Sequence, residues 1–324
     1  MDIPKLIITR PKPENYILEK PLQKAVEVAL AFNQPLLLTG EPGTGKTLLA
    51  YKIANLLHEK TKNSPSNAPS FSDIPLRFNT KTTSTASDLL YNYDAIGHFQ
   101  NANIKKKKKS ITTKSVKDFI TLQALGKAIA LANPQVSYVE QFNWQMPQRP
   151  LSSVVLIDEI DKAPRDFTND ILNEIEDWEF SIKEHNYFKV AKGNKSAQRI
   201  LVIMTSNSEK NLPDAFLRRC LFYHIDFPKP EKLQQILKAQ LTEKESATVQ
   251  QNIQAITEIF TQIRKVAIRK KPATAELVAL VKLLEMDGLL EEETPKHFQW
   301  FKDNLSLLAK SKEDILAIRQ FLEK

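Results

Sequence analysis

With 324 residues, 42% of them hydrophobic and 26% charged, the chain has the apolar content for a buried core and lies outside the range of disordered chains. A single core rarely grows past roughly 250 to 300 residues, so a main domain and a smaller one are expected. The lone cysteine, Cys220, excludes an internal disulfide framework and a cysteine-clustered zinc or iron–sulfur site, and the histidines at 58, 98, 185, 224 and 297 show no ligand spacing, so no structural metal is expected. A net charge of +8 suggests nucleic acid at first sight, but five of the 46 basic residues fall in one run, Lys105–Lys109, and without it only a mild excess remains.

The opening residues, Met1-Asp2-Ile3-Pro4-Lys5-Leu6, carry no basic region followed by an apolar stretch of signal length, and no apolar run approaches about 18 residues. A cytoplasmic protein without membrane insertion is expected. From Pro35 the chain reads as a short apolar run ending at Gly40, then a loop, then a helix over 46–59 with Leu49, Ile53, Leu56 and Leu57 at helical spacing. Short apolar runs recur at Ile74–Phe78, Val154–Ile157, Ile200–Met204 and Leu221–Phe227, with helical or loop segments between them. Strands separated by helices imply an α/β domain with a parallel sheet covered by helices on both faces.

Two stretches interrupt that rhythm. Residues 61–72 are rich in Ser, Asn and Pro and read as a loop, and residues 101–117, with the lysine run, read as a flexible insertion. Beyond Pro228 the strand signals stop. Helical periodicity follows at 230–241, 249–265, 272–286, 295–308 and 312–322, three of these segments opening with proline, so domains of 1–228 (α/β) and 229–324 (all-helical) are expected.

Gly40-Glu41-Pro42-Gly43-Thr44-Gly45-Lys46-Thr47 fits G-x-x-x-x-G-K-[ST] and falls between a strand and a helix start, where its chemistry requires it. Glycines let backbone amides turn toward a β-phosphate, Lys46 reaches the β- and γ-phosphates of ATP, and the Thr47 hydroxyl is a Mg²⁺ ligand. Leu48 completes the nucleotide-binding segment. Val154–Ile157 runs into Asp158 and Glu159, two carboxylates on opposite faces of a strand end: Asp158 suits Mg²⁺, and Glu159 suits polarising a water aimed at the γ-phosphate. Asp-Glu is also an ordinary strand exit, and Asp161 reads as a loop-bonding residue. After the strand 200–204, Asn207 could orient that water or simply make an Asx turn. Arg218 and Arg219 close a short proline-initiated helix, either as cations suited to a helix C-terminus or as guanidinium groups offered to a neighbouring active site.

In this order, the four blocks and the helical C-terminal part resemble the AAA+ ATPases and, more narrowly, the MoxR family. The narrower likeness is carried by Ser84-Thr85-Ala86-Ser87-Asp88-Leu89-Leu90-Tyr91-Asn92-Tyr93-Asp94-Ala95, by Ile157-Asp158-Glu159-Ile160-Asp161-Lys162-Ala163-Pro164, and by the stretch from Thr205 to Cys220. The resemblance implies that Lys46 and Thr47 are Walker A residues, Asp158 and Glu159 Walker B, and Asn207 the sensor. Arg218 or Arg219 would be the finger for the next subunit, and Lys271, within Arg269-Lys270-Lys271-Pro272, the basic residue of the helical lid. It also implies a homo-oligomeric, hexameric ring, a chaperone-like remodelling role, and a partner protein carrying a von Willebrand factor A domain.

Two other classes compete. A small-molecule P-loop kinase would need an acceptor site, and a nucleic-acid-stimulated motor has only the lysine run in its favour, without interleaved aromatics, so nucleic acid is not expected as a partner. Tyr91 and Tyr93 could line a pore that grips a polypeptide, or pack with Leu89 and Leu90 as one face of an amphipathic helix.

Overall fold

The computed structural model describes residues 12–323 apart from 66–67, 108–114, 143, 194–195, 209–211, 242–245 and 292–293. It divides into two compact units. One comprises residues 19–39 and 49–224; the other comprises the described residues up to Leu18, the segment Gly40–Leu48, and the chain from Ile225 onward.

The first unit is built on a five-stranded sheet of β1 (Leu36–Gly40), β2 (Leu76–Asn79), β5 (Ser153–Asp158), β8 (Ile200–Thr205) and β9 (Leu221–Ile225), in the order β2-β5-β8-β1-β9. Pairing is parallel between β2 and β5, β5 and β8, and β8 and β1. Every residue of β1, β5 and β8 is buried, which a strand achieves only when both sheet faces are covered. Their unbroken apolar runs, Leu36–Leu38, Val154–Ile157 and Ile200–Met204, are the sequence cause. β2 and β9, the outer strands, alternate between more and less exposed residues. Because the central three strands run in one direction, their C-terminal ends open on one edge of the sheet.

The helices of this unit begin with α1 (Lys20–Phe32), closed by Asn33 in the left-handed region, and α2 (Lys46–Thr61), which starts on the last glycine-flanked residue of the phosphate-loop motif. Then come α3 (Ser87–Leu90), α4 (Ala95–Lys107), α5 (Ala124–Ala132), α6 (Val136–Phe142), α7 (Arg165–Asp177) and the one-turn α8 (Asp214–Leu217). Eight of the nine residues of α5, from Ala124 to Ala132, are buried against the sheet core around Val155, Ile157 and Val202.

Two antiparallel strand pairs, β3 (Tyr91–Tyr93) with β4 (Ile120–Leu122) and β6 (Glu179–Ile182) with β7 (Phe188–Ala191), are absent from the sequence reading. Tyr91 and Tyr93 therefore lie on a strand rather than on a helix continuing from Leu90. Tyr91 stacks on Phe180 at 6.0 Å and donates its hydroxyl to Glu184 Oε2 at 2.9 Å, and the Tyr93 hydroxyl bonds His98 Nδ1 at 2.6 Å. Tyr91 thus packs against the β6–β7 pair, and Tyr93 against α4. Of the stretch 101–117 expected to be a flexible insertion, the part as far as Lys107 is helical; residues 108–114, including Lys108 and Lys109, lie outside the described residues.

Beyond β9 the second unit is helical: α9 (Pro230–Gln240), α10 (Ala247–Val266), α11 (Thr274–Met286), α12 (Thr294–Asp303), α13 (Leu305–Leu308) and α14 (Lys312–Leu322). Its core joins Leu233 and Leu237 of α9, Ile253, Ile256, Phe260 and Ile263 of α10, Leu277, Leu280 and Leu284 of α11, and Ile318 and Leu322 of α14. The i, i+3, i+4, i+7 spacing of the α10 set is the amphipathic signature that made these helices legible.

Asp314 pins this bundle. It is 0% exposed, and it accepts the amides of Ile268 (2.8 Å), Arg269 (2.9 Å) and Lys270 (3.2 Å) and the hydroxyl of Ser311 (2.7 Å), the residue whose own oxygen caps α14. Burial pushes this carboxyl's pKa up, but the amide of Arg269, the Ser311 hydroxyl and the amides of Ile268 and Lys270 together outweigh it and hold the pKa below the ordinary value. A carboxylate lowered in the folded state stabilises above its unfolded pKa and loses that contribution as pH falls through the folded value. Asp314→Asn is accordingly expected to lower the melting temperature by about 4 °C or more at neutral pH. Thermal unfolding followed from pH 7 into the acid range should show the gap to wild type closing as pH drops through the carboxylate range.

Candidate nucleotide site

The phosphate-loop segment Gly40–Leu48 is built from the backbone outward. Gly40 has φ +145°, and a Cβ there would stand 2.4 Å from the carbonyl oxygen of Ile225; Gly43 has φ +76°, and its Cβ would meet the Ala273 methyl at 2.6 Å. Any other residue at either position would clash with a neighbour as well as strain the backbone. Glu41, Pro42 and Gly43 are exposed, Thr44 and Lys46 are buried, and Gly45, Thr47 and Leu48 are half-buried. The Thr44 hydroxyl donates to Glu41 O at 2.9 Å, tying the loop to itself. Lys46 opens α2 and turns its ammonium back over the loop, donating to Gly40 O at 2.8 Å and Glu41 O at 2.9 Å. A cation held over a glycine loop at the start of a 16-residue helix is a strong arrangement for binding phosphate oxygens.

The same segment meets a basic residue of the helical part. Arg264, on the last turn of α10, donates Nη2 to Glu41 Oε2 at 2.7 Å and Nη1 to the carbonyl oxygen of Pro272, and its guanidinium lies 3.4 Å from the centroid of the Phe227 ring. Lys271, the lid residue suggested by resemblance, is exposed. Of these two basic residues, the one seen touching the phosphate loop is Arg264. Sequence reading passed over it because it occupies an apolar-face position of α10.

The acidic residues belong to the sheet unit. Asp158, the last residue of β5, is 5% exposed; its Oδ1 accepts the Thr205 hydroxyl at 2.6 Å, and its Oδ2 accepts Arg77 Nη2 at 2.6 Å. The Thr205 hydroxyl also accepts the amide of Glu159 at 2.9 Å, so one side chain at the end of β8 orients both carboxylate residues. Neither Thr205 nor Arg77 was singled out from sequence. A polar residue closing an apolar strand is the signal that marks Thr205, and the parallel register, which sets Arg77 beside Leu156 and Asn79 beside Asp158, is what brings Arg77 near.

Glu159 leaves the strand in the left-handed region, φ 58° and ψ 50°, a conformation that costs a non-glycine residue on the order of 1 kcal/mol. The strand's alternation ends there, and its side chain is 44% exposed against 7% for that of Asp158. Lys162 Nζ donates to Glu159 Oε2 at 2.5 Å, a hydrogen bond that raises the lysine's pKa. Asp161 Oδ1 accepts the amide of Asn207 at 3.3 Å, so Asp161 bonds a loop. Asn207 itself is exposed, and the turn after β8 is organised by Ser206, whose hydroxyl donates to Ser208 O at 2.7 Å and accepts Ser208 N at 3.1 Å. Arg218 and Arg219 follow α8, both exposed and without an ion pair among the described residues. Residues 209–211 of the same block lie outside the described residues.

Each unit has an oxygen of the kind that suits magnesium: the buried Asp158 carboxylate in the sheet unit and the Thr47 hydroxyl on the phosphate-loop segment of the other. Hard oxygen donors, few in number, fit an ion that keeps several of its own waters.

A glycine loop with a buried lysine between strand and helix, in a chain whose parallel sheet runs β2-β5-β8-β1-β9 with a carboxylate pair ending β5, defines a P-loop protein of the AAA+ class. The profile of the AAA domain (dynein-related subfamily) matches residues 35–220, more than half of the chain, and the chain belongs to that family. Among solved structures it is similar to the FIGL-1 AAA domain in complex with ADP, at 17% identity and TM-score 0.40 over 94% of this chain and 81% of that one. It is also similar to domain III of the Thermotoga maritima replication initiation protein DnaA, at 14% identity and TM-score 0.41 over 97% of each chain. Neither likeness bears on what this chain binds. No curated protein matches it.

Proposed function

We propose that this chain is a magnesium-dependent ATPase of the MoxR-like branch, working as a homo-oligomeric, hexameric ring that remodels protein partners, a von Willebrand factor A domain protein among them. The observation that carries the hydrolytic reading is the division of labour at the end of β5. Asp158 is buried and held by Thr205 and Arg77, whereas Glu159 is turned out of the strand with its side chain half-exposed and its carboxylate on the solvent-facing Lys162. A fixed carboxylate serves to hold a cation's water shell, and a reachable one serves to take a proton from water.

In this reading Lys46 and the loop amides would bind the β- and γ-phosphates, and Thr47 and Asp158 would hold Mg²⁺, which would supply positive charge against the phosphates. Glu159, released from Lys162, orients the attacking water and accepts its proton. Asn207, in the turn that follows β8, is read as the polar group that helps to position that water. Arg218 and Arg219 are exposed and unpaired among the described residues, as groups acting on a neighbour's phosphate would be. Among the described residues no helix is long and apolar enough to cross a membrane.

The ring is tested by mixing. An alanine variant at whichever of Arg218 and Arg219 acts in trans binds ATP but is expected to be nearly inactive, as is Lys46→Ala for the opposite reason. Mixed assemblies, verified by mass, should regain hydrolysis that neither parent shows, since one subunit brings an intact pocket and the other an intact finger. Absence of rescue at every ratio would leave both arginines as helix-end cations.

A further inference from the structure

Arg264 is an anomaly on its own helix. It follows Phe260 and Ile263 on the buried face of α10, and its side chain is only 10% exposed. A buried guanidinium is weak support for stability, because well-packed apolar replacements of such ions are often neutral or better. Its three contacts say what the charge is for. Pro272 O and the Phe227 ring fix the plane of the guanidinium, and the remaining edge is delivered to Glu41, a phosphate-loop residue whose side chain is 49% exposed. The segment that follows Pro272 also reaches the loop, since Ala273 stands where a Gly43 side chain would be. Arg264 thus holds Glu41 at one point of the loop while its own hydrogen-bond partner leads into the second.

The pair is asymmetric. Glu41 stripped of Arg264 is stabilised by water but leaves a free negative charge on a loop suited to polyanions. Arg264 stripped of Glu41 stays buried without a carboxylate. We propose that Arg264 is a positioning residue for the phosphate loop, neutralising and anchoring Glu41 so that a nucleoside triphosphate meets a loop already set and free of uncompensated negative charge. This deepens the nucleotide-binding reading and rests on it.

The test is ATP affinity by calorimetry on the full chain, with a melting curve for each variant. Arg264→Met, which keeps the length and suits the apolar surroundings, is expected to bind ATP about tenfold more weakly, within the range usual for directly coupled groups. Adding Glu41→Gln to it should restore most of that loss, a rescue that a purely packing role for Arg264 would not produce. Glu41→Gln alone should lower the melting temperature, because the arginine is left buried and unpaired. Should Arg264→Met fail to fold, Arg264→Lys keeps the charge but not the fork that spans Glu41 and Pro272, and about threefold weaker binding is expected. Wild-type affinity in the single arginine variants, or a double variant as weak as Arg264→Met, overturns the positioning role while leaving nucleotide binding intact. A wild-type chain that binds ATP no better than Lys46→Ala overturns both.

Discussion

Lys46→Ala is expected to abolish measurable ATP binding while the protein stays folded. Lys46 is 7% exposed, and its ammonium donates to the carbonyls of Gly40 and Glu41. Those acceptors keep the charge poised over the loop, and phosphate oxygens, being anionic, are the better partners. Charge-assisted hydrogen bonds of this kind contribute about 1.5 to 3 kcal/mol each, and losing two weakens affinity by at least about 100-fold. Loop amides alone do not replace them. The fold should hold, since alanine is a good helix former at the start of α2 and Glu41, one of the two residues whose carbonyl loses a donor, is exposed. Calorimetric titration with ATP, paired with far-UV circular dichroism, checks both halves. Unchanged affinity would remove the phosphate-loop assignment.

Glu159→Gln is expected to separate binding from chemistry. The amide preserves shape and the left-handed backbone at φ 58°, so neither the turn nor the Thr205 bond to its amide should change. What is lost is the ability to accept a proton from water, and turnover should fall by at least about 100-fold with ATP affinity kept. The lost ion pair with Lys162 is a solvent-facing one, too weak to be read as a folding defect. Steady-state phosphate release alongside calorimetry distinguishes the outcomes. Normal turnover would reduce Glu159 to a strand-end carboxylate and move the search for the base elsewhere.

How much of the site was legible follows chain distance. The residues from Gly40 to Thr47 and the pair Asp158-Glu159 are contiguous, and their meaning is set by the strand that precedes them, so a linear pattern is enough. Arg77 lies 81 residues from Asp158, Thr205 lies 47 from it, and Arg264 lies 223 from Glu41. No local spacing encodes those pairings. The strand pairs were missed for a related reason: three- and four-residue strands such as Tyr91–Tyr93 carry too little periodicity to be told from the end of a helix, and pairing with Ile120–Leu122 is what makes them strands. Phe180 and Ile182 alternating, then Phe188 and Val190 after a polar turn, was the one available clue to β6 and β7.

By itself, the sequence determined the class of this protein: unbroken apolar runs demand a sheet buried on both faces, amphipathic runs after Pro228 demand a helical bundle, and a complete glycine–lysine loop between strand and helix demands phosphate chemistry. Tertiary structure alone decided which groups surround those motifs. It set Thr205 and Arg77 on Asp158 and Lys162 on Glu159, put Tyr91 and Tyr93 on a strand, and brought Arg264 to Glu41 of the phosphate loop. The physical reason is that periodicity and turn chemistry are properties of neighbours along the chain, whereas the partner of a buried charge is whatever the folded backbone brings within about 3 Å of it.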